Sequence, residues 1–187
     1  MAQINLPATR SHTIQDPPFA RFLFADKRAS VFWLILRVWL GVQWIEAASH
    51  KVTDPAWVGT GAALKGFWTN AVKIPDAGRP AITIDWYRDV LRWLLENETY
   101  TWFGKLVAYG ELLIGIALIV GAFVGIAAFF GAFMNWNFVM AGAASSNGLL
   151  LVLAVLLVLA WKVAGFIGAD YFVLRWLGVP WKSDKVK

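Results

Sequence analysis

Long apolar blocks separated by short polar breaks dominate the hydropathy pattern of this chain. Positions 106–169 carry only two charged residues, Glu111 and Lys162. One bilayer crossing needs about 20 apolar residues, so this block has room for three crossings. Glycine and serine mark its breaks at 121–125 and 145–148. The pattern predicts spans near 102–121, 123–142 and 148–168.

A further apolar run at 31–50 has the length of a fourth span, although it carries Arg37, Gln43 and Glu46. The sequence therefore predicts an all-α fold, an integral membrane four-helix bundle. It further predicts amphipathic helices in the long segment between spans 1 and 2. The predicted division is a polar N-terminal tail at 1–30, a four-helix membrane domain at 31–168 including the outward-facing segment 51–101, and a basic C-terminal tail at 169–187.

The segment 51–101 is too long for a hairpin connection and too rich in tryptophan for a solvated linker. Asp54 followed by Pro55 is a favourable helix start, and we expect that helix to run towards Lys73. A second helix is predicted over IDWYRDVLRWLLENE. Its Trp86, Val90, Trp93 and Leu94 form an apolar face, and Arg88, Asp89, Arg92 and Glu96 occupy the rest. Such a helix suits the membrane interface or a cap on the bundle.

Basic residues predict the orientation of the spans. Segment 51–102 has balanced charges, whereas both tails have a basic excess. Lysine and arginine concentrate on the cytoplasmic side, so we expect both termini in the cytoplasm, in a bacterial or archaeal cytoplasmic membrane. The net charge of +5 then follows from topology, and no nucleic-acid partner is predicted.

Composition restricts the chemistry. The chain is 59% hydrophobic, has no cysteine, and has histidine only at His12 and His50. Thiol chemistry and cysteine-bound clusters are excluded, and the spans cannot supply two axial histidines for a haem. No metal, haem or iron–sulfur cluster is expected within this chain, so electrons would reside on a partner or a diffusible carrier.

One polar stripe runs along a single face of the first span. At 100° per residue, Trp39, Gln43, Glu46 and His50 share a narrow sector. Arg37 lies on the opposite side with Trp44, where two interpretations fit: its long side chain snorkels towards the surface or pairs structurally. Lys162 has the same two interpretations.

Polar residues also occur in the second and third spans. Glu111 shares a face with Gly104, Ala108 and Gly115, and small residues mark the sites where membrane helices approach closely. Asn135 continues a similar small-residue face, and Asn137 lies at similar depth. These residues are predicted to converge with Glu46 and His50, or else Glu111 is protonated or paired and the asparagines only join helices.

Such a constellation suits a quinone. Its reduction consumes protons, and its carbonyl oxygens need hydrogen-bond donors within aromatic walls. Three residues are predicted to handle protons as catalytic groups: Glu46, His50 and Glu111. Five are predicted to line the quinone site: Trp39, Gln43, Trp44, Asn135 and Asn137.

Three runs resemble the DoxX family: GVQWIEAASHKVTDPAWVGTGAALKGFW, YGELLIGIALIVG and MNWNFVMAGAASSN. The landmarks that occur in the family's order are Trp44, Lys51, Asp54-Pro55, Trp57, Glu111, Met134-Asn135 and Asn137. Ala48 and Ser49 depart from the glycine that the family often has there. The resemblance implies a small four-helix membrane protein related to the membrane subunit of thiosulfate:quinone oxidoreductase.

Two functions remain open at this stage. The first is a DoxX-like membrane subunit of a redox complex, a quinone-linked oxidoreductase subunit that couples quinone reduction to electron donation by a partner protein. The alternative is a non-catalytic accessory subunit that packs against a larger respiratory or photosynthetic assembly. Both predict contact with the lipid bilayer and with a protein partner, and the 12 tryptophans favour such contacts.

Overall fold

The computed structural model describes residues 16–178, and every regular element in that range is helical. The all-α prediction is therefore confirmed for this part of the chain. The helices are α1 (Pro18–Ala25), a 3-10 turn (Lys27–Ala29), α2 (Ser30–Val52), α3 (Pro55–Val58), α4 (Ala62–Ala71), α5 (Asp85–Glu96), α6 (Tyr100–Val120), α7 (Val124–Met140), α8 (Asn147–Leu159), α9 (Trp161–Ala164) and α10 (Asp170–Trp176).

Within residues 16–178, two helices are long and apolar enough to cross a membrane: the continuous stretch Lys27–Val52, which contains α2, and α6. The apolar helices α7 and α8 are shorter. The single helix expected at 148–168 is interrupted, because Ala160 leaves helical geometry between α8 and α9. The span predicted at 148–168 therefore consists of two consecutive helices, α8 and α9, rather than one.

The long helices pack as neighbouring pairs, α2 against α6, α7 against α8, and α6 against α7. Glycines permit the closest of these approaches. A Cβ atom on Gly41 would lie 2.9 Å from the carbonyl oxygen of Gly115, and one on Gly115 would lie 2.9 Å from that of Gly41. Any larger residue would therefore push α2 and α6 apart, which is how small residues act at membrane helix contacts.

The segment between α2 and α6 folds against the bundle. Asp54 caps α3 as predicted, since its carboxylate accepts a hydrogen bond from the Ala56 amide. The single helix predicted from there towards Lys73 is wrong, because the chain turns at Gly61 with a φ of 72° before α4 begins. A Cβ atom on Gly61 would lie 2.1 Å from the Tyr100 carbonyl oxygen, so the turn packs tightly against the start of α6.

Helix α5 matches the predicted amphipathic helix with one correction. Trp86, Val90 and Trp93 are exposed along one face. Arg88 does not lie on the polar surface but is buried, where it donates hydrogen bonds to the Ile82 carbonyl oxygen and to the Asp85 carboxylate. The Nη1 and Nη2 groups find oxygens in this way, whereas the buried Nε has no hydrogen-bond partner among residues 16–178.

Parts of both predicted tails are folded. The chain at 18–29 forms α1 and the 3-10 turn, and the Trp33 indole donates a hydrogen bond to the Leu23 carbonyl oxygen of α1. Near the other end, α10 carries the buried Asp170. Residues 1–15 and 179–187, which hold Arg10, Lys182, Lys185 and Lys187, lie outside the described range.

Candidate functional site

Two polar groupings lie at opposite ends of α2, and they differ in how their hydrogen bonds are satisfied. The first is the Arg37 cluster, formed by Arg37, Asp170 and the backbone groups they contact. The Arg37 Nε donates to the Ala164 carbonyl oxygen at 3.1 Å, and Nη1 donates to the Ile119 carbonyl oxygen at 2.9 Å. Further bonds reach the Leu118 and Ile167 carbonyl oxygens.

Asp170 completes this cluster from the start of α10. Its two carboxylate oxygens accept hydrogen bonds from the backbone amides of Phe123 and Val124, at 2.5 and 2.9 Å. These amides belong to the first turn of α7, where free N–H groups attract a carboxylate. Three glycines make room, since a Cβ atom on Gly121 or Gly168 would meet the Arg37 guanidinium and one on Gly165 would meet the Asp170 carboxylate.

This geometry decides between the two interpretations of Arg37. The side chain is 1% exposed and does not snorkel to the surface. It joins the last turn of α6 to the chain after α9, so structural pairing is the correct interpretation. Lys162, which had the same two interpretations, is exposed.

The second grouping is the polar cavity, a space of about 390 Å³ between the C-terminal half of α2, the middle of α6, α7 and the start of α8. Ligand pockets in proteins typically measure about 300–1,000 Å³, so the cavity can hold a small ring system. Its lining comprises Gln43, Trp44, Glu46, Ala47, His50, Lys51, Glu111, Asn135, Phe138, Ser146, Asn147 and Leu150.

A buried ion pair forms one wall of the polar cavity. The Lys51 ammonium lies 2.5 and 2.6 Å from the two carboxylate oxygens of Glu111. The Glu111 side chain is 1% exposed and that of Lys51 is 19% exposed. The ammonium also lies 5.0 Å from the Trp57 ring centroid and 5.4 Å from that of Phe138, at cation–π distances. Glu111 thus points into the bundle, as predicted, and it is paired.

Two other lining groups are buried without a partner. Neither amide atom of Asn135 has a hydrogen-bond partner among residues 16–178, and neither does the indole N–H of Trp44. The two residues are only 1% and 3% exposed. Buried polar groups in proteins are nearly always hydrogen-bonded, and leaving one unsatisfied costs about 1–3 kcal/mol. Two donor atoms and one acceptor atom on residues that line the cavity are therefore left open for a hydrogen bond.

Two ionisable side chains lie at the exposed opening of the polar cavity. Glu46 and His50 are exposed on α2, one turn apart, and Ser146 is exposed across from them at the start of α8. Gln43 is half-buried deeper along the same α2 stripe. Glu46 and His50 thus share the lining of the cavity with the buried carboxylate of Glu111.

Six of the eight predicted site residues line the same cavity, and two do not. Trp39 is 43% exposed on the surface of α2 and lies outside the lining. Asn137 lies on the other side of α7, where the Tyr87 hydroxyl donates a hydrogen bond to its carbonyl oxygens. The difference of two residues between Asn135 and Asn137 rotates the side chain by about 200° around a helix, so both cannot face one cavity.

Lys51 is the cavity residue that the sequence interpretation treated only as a family landmark. A signal for it exists in the periodicity of α2. The buried stripe Trp33, Arg37, Leu40, Trp44 and Ala48 has spacings of four and three, and Lys51 falls at the next position. A lysine that extends a buried stripe needs a buried partner, and Glu111 is the carboxylate at a suitable depth.

Comparison with protein-family models, with curated proteins and with solved structures found no match to this chain. The DoxX resemblance therefore stays a prediction, and the functional argument depends on the geometry of the polar cavity.

Proposed function

We propose that this chain is a four-span membrane protein whose polar cavity binds the head group of a quinone, as the DoxX-like interpretation expects. The spans are α2, α6, α7 and the combined α8–α9, with both termini cytoplasmic. Residues 147–164 cover about 27 Å at 1.5 Å per residue, close to the thickness of the hydrocarbon core. Large apolar side chains exposed on all four elements support a lipid environment, among them Ile35, Leu113, Phe129 and Val152.

The observation that carries the proposal is the set of unpartnered polar atoms in the polar cavity. The Asn135 amide nitrogen and the Trp44 indole N–H can donate to carbonyl oxygens of an oxidised head group. The Asn135 amide oxygen can accept from a hydroxyl of the reduced form. Both redox states of such a ligand therefore find hydrogen bonds at the same two residues.

The ionisable residues supply the protons. Reduction of a quinone to a quinol takes up two electrons and two protons, and we assign the electrons to a redox partner protein. Glu46 and His50 at the opening exchange protons with solvent, and Glu111 exchanges them inside the cavity. Lys51 holds the Glu111 carboxylate in place through both of its oxygens.

Charge in the polar cavity favours a neutral head group. The Lys51 ammonium is already neutralised by Glu111, and Glu46 adds a second carboxylate at the opening. An inorganic sulfur anion would meet no uncompensated cation there. If the chain serves thiosulfate oxidation, as the resemblance implies, the anion is therefore handled by the partner and the quinone by this chain.

The Lys51–Glu111 pair is also the observation that favours the accessory-subunit alternative, in which buried charges only fix the packing of helices. The two functions differ in what the cavity does. An accessory subunit has no use for open hydrogen-bonding groups at Trp44 and Asn135, whereas a quinone site depends on them.

Titration of a short-tail quinone into the purified protein in lipid nanodiscs tests the proposal. Trp44→Phe keeps an aromatic wall but removes the donor, so we expect binding about 2- to 10-fold weaker, the value of one hydrogen bond. Trp68→Phe is the matched control, because Trp68 is also buried but lies outside the polar cavity. Absence of quinone binding to the wild type, or equal weakening by both variants, would overturn the proposal.

A further inference from the structure

A second cavity lies between α4, α5, α6 and α7, and we propose that this apolar pocket holds one acyl chain of a bilayer phospholipid. The inference depends on the membrane placement proposed above but not on quinone binding. The pocket measures about 270 Å³. A single water needs only about 10–15 Å³, so the space is far too large to be a packing defect between side chains.

The lining of the apolar pocket is mostly apolar and comes from four helices. Leu64 and Trp68 come from α4, Leu91 from α5, Val107 from α6, and Met134 from α7. Apolar cavities of this kind stay dry and accept apolar guests, and an empty one lowers the stability of the fold in proportion to its volume. A hydrocarbon occupant therefore fits the pocket better than water or vacuum.

The polar side chains of Tyr87 and Asn137 at the pocket are hydrogen-bonded, in contrast to the Asn135 amide of the polar cavity. The Tyr87 hydroxyl donates to the Asn137 backbone and side-chain oxygens at 3.0 and 3.1 Å. The Asn137 amide nitrogen donates to the Phe133 carbonyl oxygen at 2.8 Å. Burial raises the pKa of Tyr87 to about 12, so its hydroxyl stays neutral. A ligand head group would find no open hydrogen bond at the Tyr87 hydroxyl.

The entrance of the apolar pocket faces the proposed lipid. Val90 on α5 and Phe133 on α7 line the pocket and are 45% and 53% exposed. Trp86 and Trp93 extend the same exposed apolar face of α5. Tryptophan favours the level of the lipid head groups, so a phospholipid beside α5 has its chains at the pocket entrance.

The position of Phe138 favours a lipid chain as the occupant of the apolar pocket over the tail of a quinone bound in the polar cavity. Its ring lines both spaces. It lies 5.4 Å from the Lys51 ammonium on the polar side and 6.2 Å from the Phe67 ring on the apolar side. A tail that joined the two spaces would have to pass this ring, whereas an acyl chain enters directly from the bilayer.

Native mass spectrometry of the protein released from phospholipid nanodiscs tests this inference. We expect the wild type to retain one phospholipid. Ala141→Phe fills the pocket from the end of α7, and Leu94→Phe fills it from α5 if the first variant does not fold. The retained fraction should fall about tenfold or more, because displacing about two buried methylene groups is sufficient for that loss. Val152→Phe on the exposed face of α8 is the control and should retain the lipid.

Each other outcome overturns the inference. A wild type that carries no phospholipid shows that the pocket has no lipid site, and a retained isoprenoid quinone in its place shows that the occupant was chosen wrongly. Filled variants that keep as much lipid as Val152→Phe show that the lipid binds elsewhere. A quinone titration of the same samples separates this result from the proposed function, because filling the apolar pocket should leave quinone affinity in the polar cavity unchanged.

Discussion

The Arg37 cluster and the polar cavity place one cation each at the two ends of the same buried stripe of α2, yet they satisfy their polar atoms differently. Arg37 donates to four carbonyl oxygens, and Asp170 accepts from two backbone amides. In the polar cavity the Lys51–Glu111 pair is satisfied, while the Asn135 amide and the Trp44 indole N–H have no partner within residues 16–178.

The difference separates a structural role from a binding role. A saturated cluster gains its full hydrogen-bond energy from folding and has nothing left for a ligand. A cavity with open buried donors and an open acceptor lowers stability until something binds there, which is a cost that functional sites commonly carry. Substitutions should therefore destabilise the fold most at the Arg37 cluster and least at the open groups of the polar cavity.

The largest effect is expected for Arg37→Met. The substitution leaves buried carbonyl oxygens unsatisfied and removes the positive charge near Asp170, so the free energy of unfolding should fall by about 3–5 kcal/mol. Arg37→Lys should recover little of this loss, because one ammonium cannot reach oxygens spread around a planar fork. Thermal unfolding in detergent measures both.

Lys162→Met is the control for Arg37, since Lys162 is exposed and its loss should change stability by less than about 0.5 kcal/mol. If Arg37→Met has the same melting temperature as this control rather than a far lower one, the cluster does not hold the helix ends together.

An intermediate effect is expected at the Lys51–Glu111 pair. Glu111→Gln leaves the Lys51 ammonium without its carboxylate, and Lys51→Met leaves the Glu111 carboxylate without its cation. Each variant should therefore lower the free energy of unfolding. The double variant should recover part of the loss, with a coupling free energy of about 1–3 kcal/mol. Additive losses in this double-mutant cycle would show that the pair contributes nothing specific to the fold.

Helical periodicity predicted much of this architecture but not its tertiary pairings. The spacing of Gly104, Ala108 and Gly115 correctly placed Glu111 in the bundle, because a helix face is a local property of the sequence. The contact of Glu111 with Lys51 joins residues 60 positions apart. No pattern within one helix contains that information.

The misplaced residues have two different causes. Asn137 is predicted to line the quinone site because it lies at similar depth and is a family landmark, although its rotation around α7 directs it to Tyr87. Pro18 begins α1 within the stretch that is predicted to be a polar tail. The packing of α1 against α9 compensates for the short length of α1. Periodicity within α7 is enough to separate Asn137 from Asn135, whereas the helix that begins at Pro18 depends on a contact between helices.

A smaller effect is expected for Tyr87→Phe beside the apolar pocket. Loss of one hydrogen bond to Asn137 should cost about 0.5–1.5 kcal/mol at neutral pH. The folded-state pKa of Tyr87 is raised to about 12 from an ordinary value of 10.0, so its neutral form is favoured by folding. That contribution is present below about pH 10 and is lost as the pH rises towards 12.

Unfolding measured between pH 9 and pH 12 therefore checks Tyr87. The wild type should lose more stability over that window than Tyr87→Phe, because only the wild type ionises this hydroxyl. Parallel curves for the two proteins would place the Tyr87 hydroxyl in water rather than in the bundle.

The open groups of the polar cavity provide the most direct test, through Asn135→Leu measured for both stability and quinone binding. The substitution replaces a buried amide without partners by an apolar side chain of similar size. Since no hydrogen bond within residues 16–178 is lost, the free energy of unfolding without ligand should stay within about 1 kcal/mol of the wild type or rise. Quinone affinity should fall about tenfold or more, and a variant that is strongly destabilised yet binds quinone normally would contradict the account.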